Sequence, residues 1–536
     1  MSSEDTLIAT RKAKHQELNQ GKYPLAGDTS HTQIIGAIKM MEVMQANNTL
    51  PATIDLNEVH SPKLVVSGRI TNFRKSGSIT FLKITDSTGS VQVIASKAAL
   101  PDYDQLKLLD LGDIIEVDGH TVQSKTAEKS LLARSITCLT KSHRPPPEKF
   151  FGLTDQEMKY RKRHLDLMSS EESRARFVVR SHILRAIRNF MNDSGFLEVE
   201  TSTLNTVASG ANAKPFTTHH NALDMELQLR IAPELYLKRL LVGGMDRVYE
   251  IGRSYRNEGI DTRHNPEFTM MESYQAYGNF KELLASSKKL LQYVEHYLYN
   301  NLPSGVQPIY DKWAAERTFT FTHTIDVPMW DAVVHACSKA GLLISSNLHV
   351  RLLGAEDLSS QPDLEVTDLN NPRLLQIDMK GLFHALSESS SKGEKLAILF
   401  EYVAEPFLTE DYRSADQKHS LPVFITEYPK AISPLARSYD LNPELCQRFE
   451  LFVEGRELAN AFQELNDPEE QALRFQEQLE SNHKDAMAYD SDYVEALEYG
   501  MPPAIGFGMG IDRLVMLLTN TSSIKDVILF PTLRNK

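Results

Sequence analysis

The chain has 536 residues, 41% hydrophobic and 24% charged, the balance of an ordinary soluble globular protein, and its length predicts roughly three to four units of domain size. No apolar run approaches the ~20 residues of a membrane-crossing helix. The opening MSSEDTLIATRKAKHQ lacks the apolar core of a secretory signal, so a cytoplasmic protein is expected. With 58 basic and 71 acidic residues the net charge is −13, so any nucleic acid must be held by local patches rather than by bulk charge.

In chain order, residues 1–60 are rich in Lys, Glu, Gln and Asn and read as a helical arm, with a helical stretch at Thr32–Gln45. From Lys63 the pattern changes to short β-rich runs. Leu64–Ile70, Ile79–Ile84, Val91–Ile94, Ile114–Val117 and Ser135–Leu139 are separated by turn residues such as Asp86-Ser87-Thr88-Gly89. Five such strands within residues 61–144 predict a small barrel of the OB type. Arg144-Pro145-Pro146-Pro147-Glu148 then opens a stiff linker over residues 145–154. Beyond it Val179, Ile183, Ile187 and Phe190 recur at helical spacing up to Gly195, and Leu197 and Val199 alternate with Glu198 and Glu200 like a half-buried strand. Pro233 is placed to open a helix that Gly243-Gly244 closes. Strands and helices do not alternate regularly, so residues 155–536 are expected to form an α+β domain on an antiparallel sheet. Between about 342 and 420 the signals fade into Ser, Asp and Glu clusters, read as a partly helical insertion. Cys138, Cys337 and Cys446 are scattered and odd in number, and read as buried free thiols rather than a disulfide or metal framework.

Three stretches can carry chemistry. In a strand, Phe268, Met270, Glu272 and Tyr274 share one face by period two, as do Asn460, Phe462 and Glu464. Such faces are either solvated surfaces or pocket walls. Between the predicted strand Val248–Arg256 and the return at Pro266 lies a polar loop, so that Arg256, Arg263 and His264 gather donors suited to a polyphosphate. Gly506-Phe507-Gly508-Met509-Gly510-Ile511-Asp512-Arg513 lacks the Lys-Ser/Thr of a phosphate-binding P-loop, and its alternate glycines suggest close approach of a ligand or backbone.

Together these segments resemble the class II lysyl-tRNA synthetases of bacterial type. The resemblance rests on THHNALDMELQLRIAPELYLKRLLVGG, RNEGIDTRHNPEFTMMESY, FITEYPKAISPLAR, GRELANAFQELNDP and GFGMGIDRLVMLL in the family's order. It implies an OB-fold anticodon-binding domain followed by a catalytic domain on an antiparallel sheet flanked by helices, acting as a homodimer on ATP, L-lysine and tRNA(Lys) with Mg2+. By that resemblance Arg256 touches the α-phosphate and the lysine carboxylate, and Glu258 contacts an adenine on which Phe268 stacks. His264 and Arg513 hold the outer phosphates, with Arg256 and Arg513 the catalytic pair, while Glu450 and Glu457 bind the metal. Gly210 and Glu234 receive the α-amino group, Glu272, Tyr274 and Glu464 surround the side-chain ammonium, and Asn460 and Phe462 line the pocket. Arg69, Arg74, Phe81 and Gln92 meet the anticodon, although Phe81 also reads as barrel core. Two carboxylates at Glu272 and Glu464 disfavour the aspartate and asparagine enzymes of the same layout. The chain departs from the family at Ser202, Ser209, Lys214, Ala459, Ala461 and Gln463. The rival reading is a non-catalytic tRNA-binding paralogue; a relative that attaches lysine to a protein would lack the N-terminal barrel.

Overall fold

The computed structural model describes residues 3–18, 21–24, 32–52, 61–147, 155–207, 209–211, 213–344, 364–389, 391–480 and 489–534. Residues 53–60 of the expected arm, 148–154 of the expected linker and 345–363 of the expected insertion lie outside the described residues. The chain divides into two compact units, residues 1–171 and 172–536, each with its own core.

In the first unit, β1 (Lys63–Ser76), β2 (Ile79–Thr85), β3 (Ser90–Ser96), β4 (Ile114–Gln123) and β5 (Lys129–Thr140) close into a barrel in the order β1-β2-β3-β5-β4. Alternation sends Val66, Ile70, Leu82, Ile84, Val91 and Val93 inward. Closure needs a glycine at 119, where a Cβ would stand 2.5 Å from Leu132 O beside a register shift in the β4–β5 pairing. The helix Ile34–Ala46 buries Ile34, Ala37 and Met41 against this barrel. Its first amides donate to Asp86 Oδ2 at 2.9 Å and Thr88 Oγ1 at 3.1 Å, so the β2–β3 turn also caps a helix.

In the second unit, β6 (Leu197–Glu198) precedes a small sheet of β7 (Leu204–Asn205), β8 (Thr217–His220) and β9 (Met225–Leu229). There follow β10 (Arg247–Tyr255), β11 (Glu267–Ala276), β12 (Ile325–Pro328), the pair β13 (Leu342–Ile344) and β14 (Leu364–Val366), then β15 (Val423–Pro429), β16 (Leu445–Val453), β17 (Arg456–Gln463) and β18 (Ala504–Gly510). The main sheet has eight strands in the order β12-β15-β16-β17-β18-β11-β10-β6. Its six central strands pair antiparallel, as expected, while β6 and β12 add a parallel pair at each edge. Leu197 in β6 is 53% exposed, so the half-buried strand expected there is a short edge whose apolar residue faces outward.

One face of the sheet carries the core. Helices Glu171–Asp193 and Phe280–Asn301 bring Val179, Ile183, Ile187, Leu290, Leu291 and Val294 into one cluster with Phe449, Phe507 and Met509, each burial contributing roughly 1.5–3 kcal/mol. Phe507 and Met509 point into this core, so Gly506, Gly508 and Gly510 face the other way by strand parity. That opposite face is left open for a ligand. The described part of the insertion is partly helical, as expected, and also holds the β13–β14 pair. Its Leu382, Leu396, Leu399 and Val403 form a second core with Val333 and Ala336 over the β12–β15 edge. All three cysteines are buried and free.

Candidate active site

The cavity on the open face measures about 380 Å³. Strand register explains which side chains reach it. Glu450 pairs with Asn460, Asn460 with Gly508, Gly508 with Glu272, and Glu272 with Glu250, a transverse row over β16, β17, β18, β11 and β10. In the next row Phe462, Gly506 and Tyr274 are neighbours. The two glycines form a floor between walls carrying Glu272 and Tyr274 on one side, Asn460 and Phe462 on the other. Gly210, Glu234, Arg256, Glu258, His264, Phe268, Glu450, Glu457 and Arg513 also line the cavity. Every site residue expected in the catalytic domain is therefore in its wall except Glu464. Glu464 is fully buried just past β17, where its Oε1 occupies the space a Gly506 Cβ would need.

The cavity is electrically divided. At one end the β10–β11 loop brings up Arg256, whose guanidinium lies 5.2 Å from the Phe268 ring centroid and whose buried Nε has no hydrogen-bond partner. Burial lowers Arg256 from its ordinary value, with Arg513 acting the same way and Glu258, Glu457 and Glu272 opposing; it remains a cation. Arg513 stands in the first turn of the helix Ile511–Leu518. Its Nη1 donates to Glu457 O at 2.6 Å, and Nη2 lies 3.4 Å from His264 Nε2. Asp261 secures the loop by accepting from the amides of Arg263 at 2.6 Å and His264 at 2.7 Å. Asp512 ties helix to strand by accepting from Thr269 N at 2.7 Å and pairing with Arg180 at 2.5 Å.

At the other end carboxylates dominate. Tyr274 OH donates to Glu272 Oε2 at 2.9 Å. Burial, followed by the Glu234 charge, pushes the Glu272 carboxyl up to about 8. Burial likewise raises Glu464 well above the ordinary range, opposed by Lys238 and reinforced by Glu234 and Glu272. Between the two ends Glu450 is raised by burial and by neighbouring Glu457, while Arg448 (2.5 Å) and Tyr428 OH (2.8 Å) each take one of its oxygens. Two mutually repelling carboxylates suit a hard divalent cation whose other ligands come from phosphates; among the described residues no cluster of three or more metal-ligating side chains exists.

Sequence reasoning overlooked Lys238, Arg448, Tyr428 and the buried pair of Arg230 with Glu250 (2.5 Å). Lys238 could have been noticed as a charged residue one turn after Glu234 on an apolar helix. Arg448 shares the parity of Glu450 on β16, but Tyr428 reaches the site through a register shift after Thr426 that no local pattern announces. Of the substituted positions, Ala459 lines the cavity. Ala461 lies in the core and Gln463 donates to Ala504 O at 2.9 Å, so these two leave the pocket's shape alone.

On the barrel, Phe81 packs half-buried at a small satellite cluster rather than in the main core. It pairs with Arg74, whose guanidinium lies 5.5 Å from the ring centroid. Gln92 pairs with Lys83 and donates to Ser130 Oγ at 2.9 Å. Arg69 is turned to Gly112 O at 2.7 Å.

Residues 155–534 match the family described as tRNA synthetases class II (D, K and N), and residues 64–139 match the OB-fold nucleic acid binding domain. The chain belongs to the class II tRNA synthetases. Among curated relatives of this synthetase, the lysine–tRNA ligase of Legionella pneumophila (strain Corby) is 43% identical, the match covering 99% of this chain and 98% of that one. That of Aromatoleum aromaticum is 42% identical over 99% and 97%. The heat-inducible lysine–tRNA ligase of Escherichia coli (strain K12) is 42% identical over 90% and 88%.

Proposed function

We propose that this synthetase activates L-lysine with ATP to lysyl-adenylate and transfers lysine to the 3′ end of tRNA(Lys). The observation that carries the reading is the divided cavity, with Arg256, His264 and Arg513 at one end and Glu234 and Glu272 at the other, where Glu464 is buried against Gly506 of the floor. An amino acid with two ammonium groups matches the acidic end, whereas the side-chain carboxylate of aspartate would face like charges. The relatives' printed names point the same way.

In this reading Glu258 and Phe268 hold the adenine, Arg256 spans the α-phosphate and the amino-acid carboxylate, and His264 and Arg513 take the outer phosphates. Gly210 and Glu234 hold the α-amino group, and Tyr274, Asn460 and Phe462 complete the lysine pocket around Glu272 and Glu464. Glu450 and Glu457 would hold Mg2+, which supplies neutralisation of phosphate charge. The lysine carboxylate is ionised at neutral pH and needs no general base. Its oxygen forms a bond to the α-phosphorus as the bond to the bridging oxygen breaks and diphosphate leaves. Arg256, with an Nε that no protein group occupies, stabilises the charge that builds on the phosphoryl oxygens. The terminal ribose hydroxyl of the tRNA then attacks the lysyl carbonyl and AMP departs. Phe81, Arg74, Arg69 and Gln92 of the barrel would receive the anticodon by stacking and charge.

A homodimer in the cytoplasm is the proposed setting. The dimer is supported by the exposed Leu197 in β6 at the edge of the main sheet and the exposed Leu204 in β7, and among the described residues no helix is long and apolar enough to cross a membrane. ATP–diphosphate exchange driven by each amino acid in turn tests the function. Lysine alone should drive it. Exchange with aspartate or asparagine would overturn the substrate, and none at all would favour a non-catalytic paralogue.

A further inference from the structure

The lysine pocket contains a lysine of the protein's own. Lys238, on the helix Glu234–Val242, has a side chain with no exposure, and its Nζ lies 2.6 Å from Glu234 Oε1 and 2.5 Å from Glu464 Oε2. The ammonium also sits 5.3 Å from the ring centroid of Phe462 and 5.8 Å from that of Tyr493. One cation thus joins the helix that carries Glu234 to the end of β17 that carries Glu464. It engages one oxygen of each carboxylate. Both oxygens of Glu464 are buried without a hydrogen-bond partner, Oε2 meeting Lys238 as an ion pair only, and Oε1 lies over Gly506 in the cavity floor.

The charges facing this point come from four elements. Glu234 is on the same helix, Glu464 follows β17, Glu272 and Tyr274 are on β11, and Tyr493 is on the helix Ser491–Glu498. Glu250 and Arg256 act from behind Glu272. Burial alone would lower Lys238, but Glu234 and Glu464 raise it above its ordinary value, so it stays charged. Three carboxyl groups thus face one internal ammonium, and a second ammonium brought by a ligand would favour their ionised form. A buried carboxylate deprived of its only cation takes up a proton instead.

We infer that Lys238 is a positioning residue of the amino-acid pocket, which clamps Glu234 and Glu464 at a fixed separation by holding one oxygen of each, so that the pocket awaits a ligand with an ammonium at each end. This rests on the lysine reading above. It assigns Lys238 no contact with the reacting atoms. Its effect is on lysine affinity, with chemistry and ATP binding left to Arg256 and Arg513.

The test compares Lys238→Met and Lys238→Arg with the wild type in ATP–diphosphate exchange from pH 6 to 9, with thermal melting as the check on folding. Lys238→Met should raise the KM for lysine about tenfold or more, the worth of a lost charged hydrogen bond, while the KM for ATP stays within about twofold. The lysine KM should also fall more steeply with rising pH than in the wild type, by up to a further ~tenfold per unit, because one more proton must leave before lysine binds. An unchanged lysine KM and pH slope overturns the inference. So does a parallel rise in both KM values with the wild-type slope, which is what mere loosening of the fold would give. If Lys238→Met does not fold, Lys238→Arg decides, since its larger planar fork keeps the charge but changes the separation at which the two carboxylates are held. A raised lysine KM with unchanged ATP KM is then expected, and a wild-type lysine KM refutes. Failure of the wild type itself to exchange with lysine defeats the function, whereas an unaffected variant of an active wild type defeats only the role of Lys238.

Discussion

In a Gly508→Ala variant the added methyl would meet Asn460 O and Glu272 Cγ at 3.7 Å and Met270 Cε at 3.9 Å. These are ordinary van der Waals separations, and Gly508 is not among the glycines with positive φ. Nothing in the protein therefore demands glycine there. On the fold alone, alanine in this extended strand should be neutral or stabilising by roughly 0.5–1 kcal/mol, because the unfolded chain loses freedom. The methyl nonetheless rises from the cavity floor between Asn460 and Glu272. Overfilling a fitted space costs about 1–3 kcal/mol, which corresponds to a loss of roughly 5- to 150-fold in kcat/KM for lysine-dependent exchange. The assay pairs exchange kinetics with thermal melting. Activity lost with melting unchanged or raised is the expected result. Wild-type activity would show that no ligand lies against Gly508, and a large drop in melting temperature would show that the floor is packed rather than open. Gly506→Ala is the contrasting control, since its methyl would overlap Glu464 Oε1 and stand 2.7 Å from Tyr274 Cε1, so both stability and activity should fall.

Arg256→Ala should lower lysine-dependent exchange by at least ~100-fold, the loss from one transition-state donor; near-wild-type exchange would remove Arg256 from the mechanism. Phe81→Ala should leave exchange unchanged but weaken tRNA aminoacylation, with kcat/KM for tRNA down by about 1–3 kcal/mol of stacking, and equal loss in both assays would place its effect elsewhere. With its carboxyl pushed up to about 8, Glu272 is largely protonated in the free enzyme at pH 7. Lysine binding should then release a proton and tighten as pH rises toward 8, which calorimetry in buffers of different ionisation enthalpy would register; buffer-independent heats would refute it. The sign for stability is the opposite. The unfolded carboxyl ionises first, so this group's contribution declines as pH rises from about 4.5 toward 8.

How far the sequence could be read follows from the range of its signals. Period-two alternation is local, so the shared face of Phe268, Met270, Glu272 and Tyr274, and that of Asn460, Phe462 and Glu464, were legible without coordinates. The same was true of the five barrel strands and of the glycines alternating with Phe507 and Met509. Local patterns could not say which strands are neighbours. That β18 lies between β11 and β17, making one cleft of two faces far apart in the chain, is decided by pairing across the sheet. The parallel strands at the sheet's edges and the exposure of Leu197 belong to the same class of fact, since a strand of two residues carries too little pattern to state its surroundings.

The sequence by itself determined the order of the two units, the donors near the β10–β11 loop and the family to which they belong, because each of these is written in contiguous residues. Only the tertiary structure decided the electrostatics. Glu234 and Glu464 are 230 positions apart, yet Lys238 lies within 2.6 Å of both. Burial among like charges, not residue type, sets how readily Glu272 and Glu464 ionise. A carboxylate's identity is given by its codon, but its charge in a closed pocket depends on what packing has removed from around it, and that becomes readable only once the strands are in register.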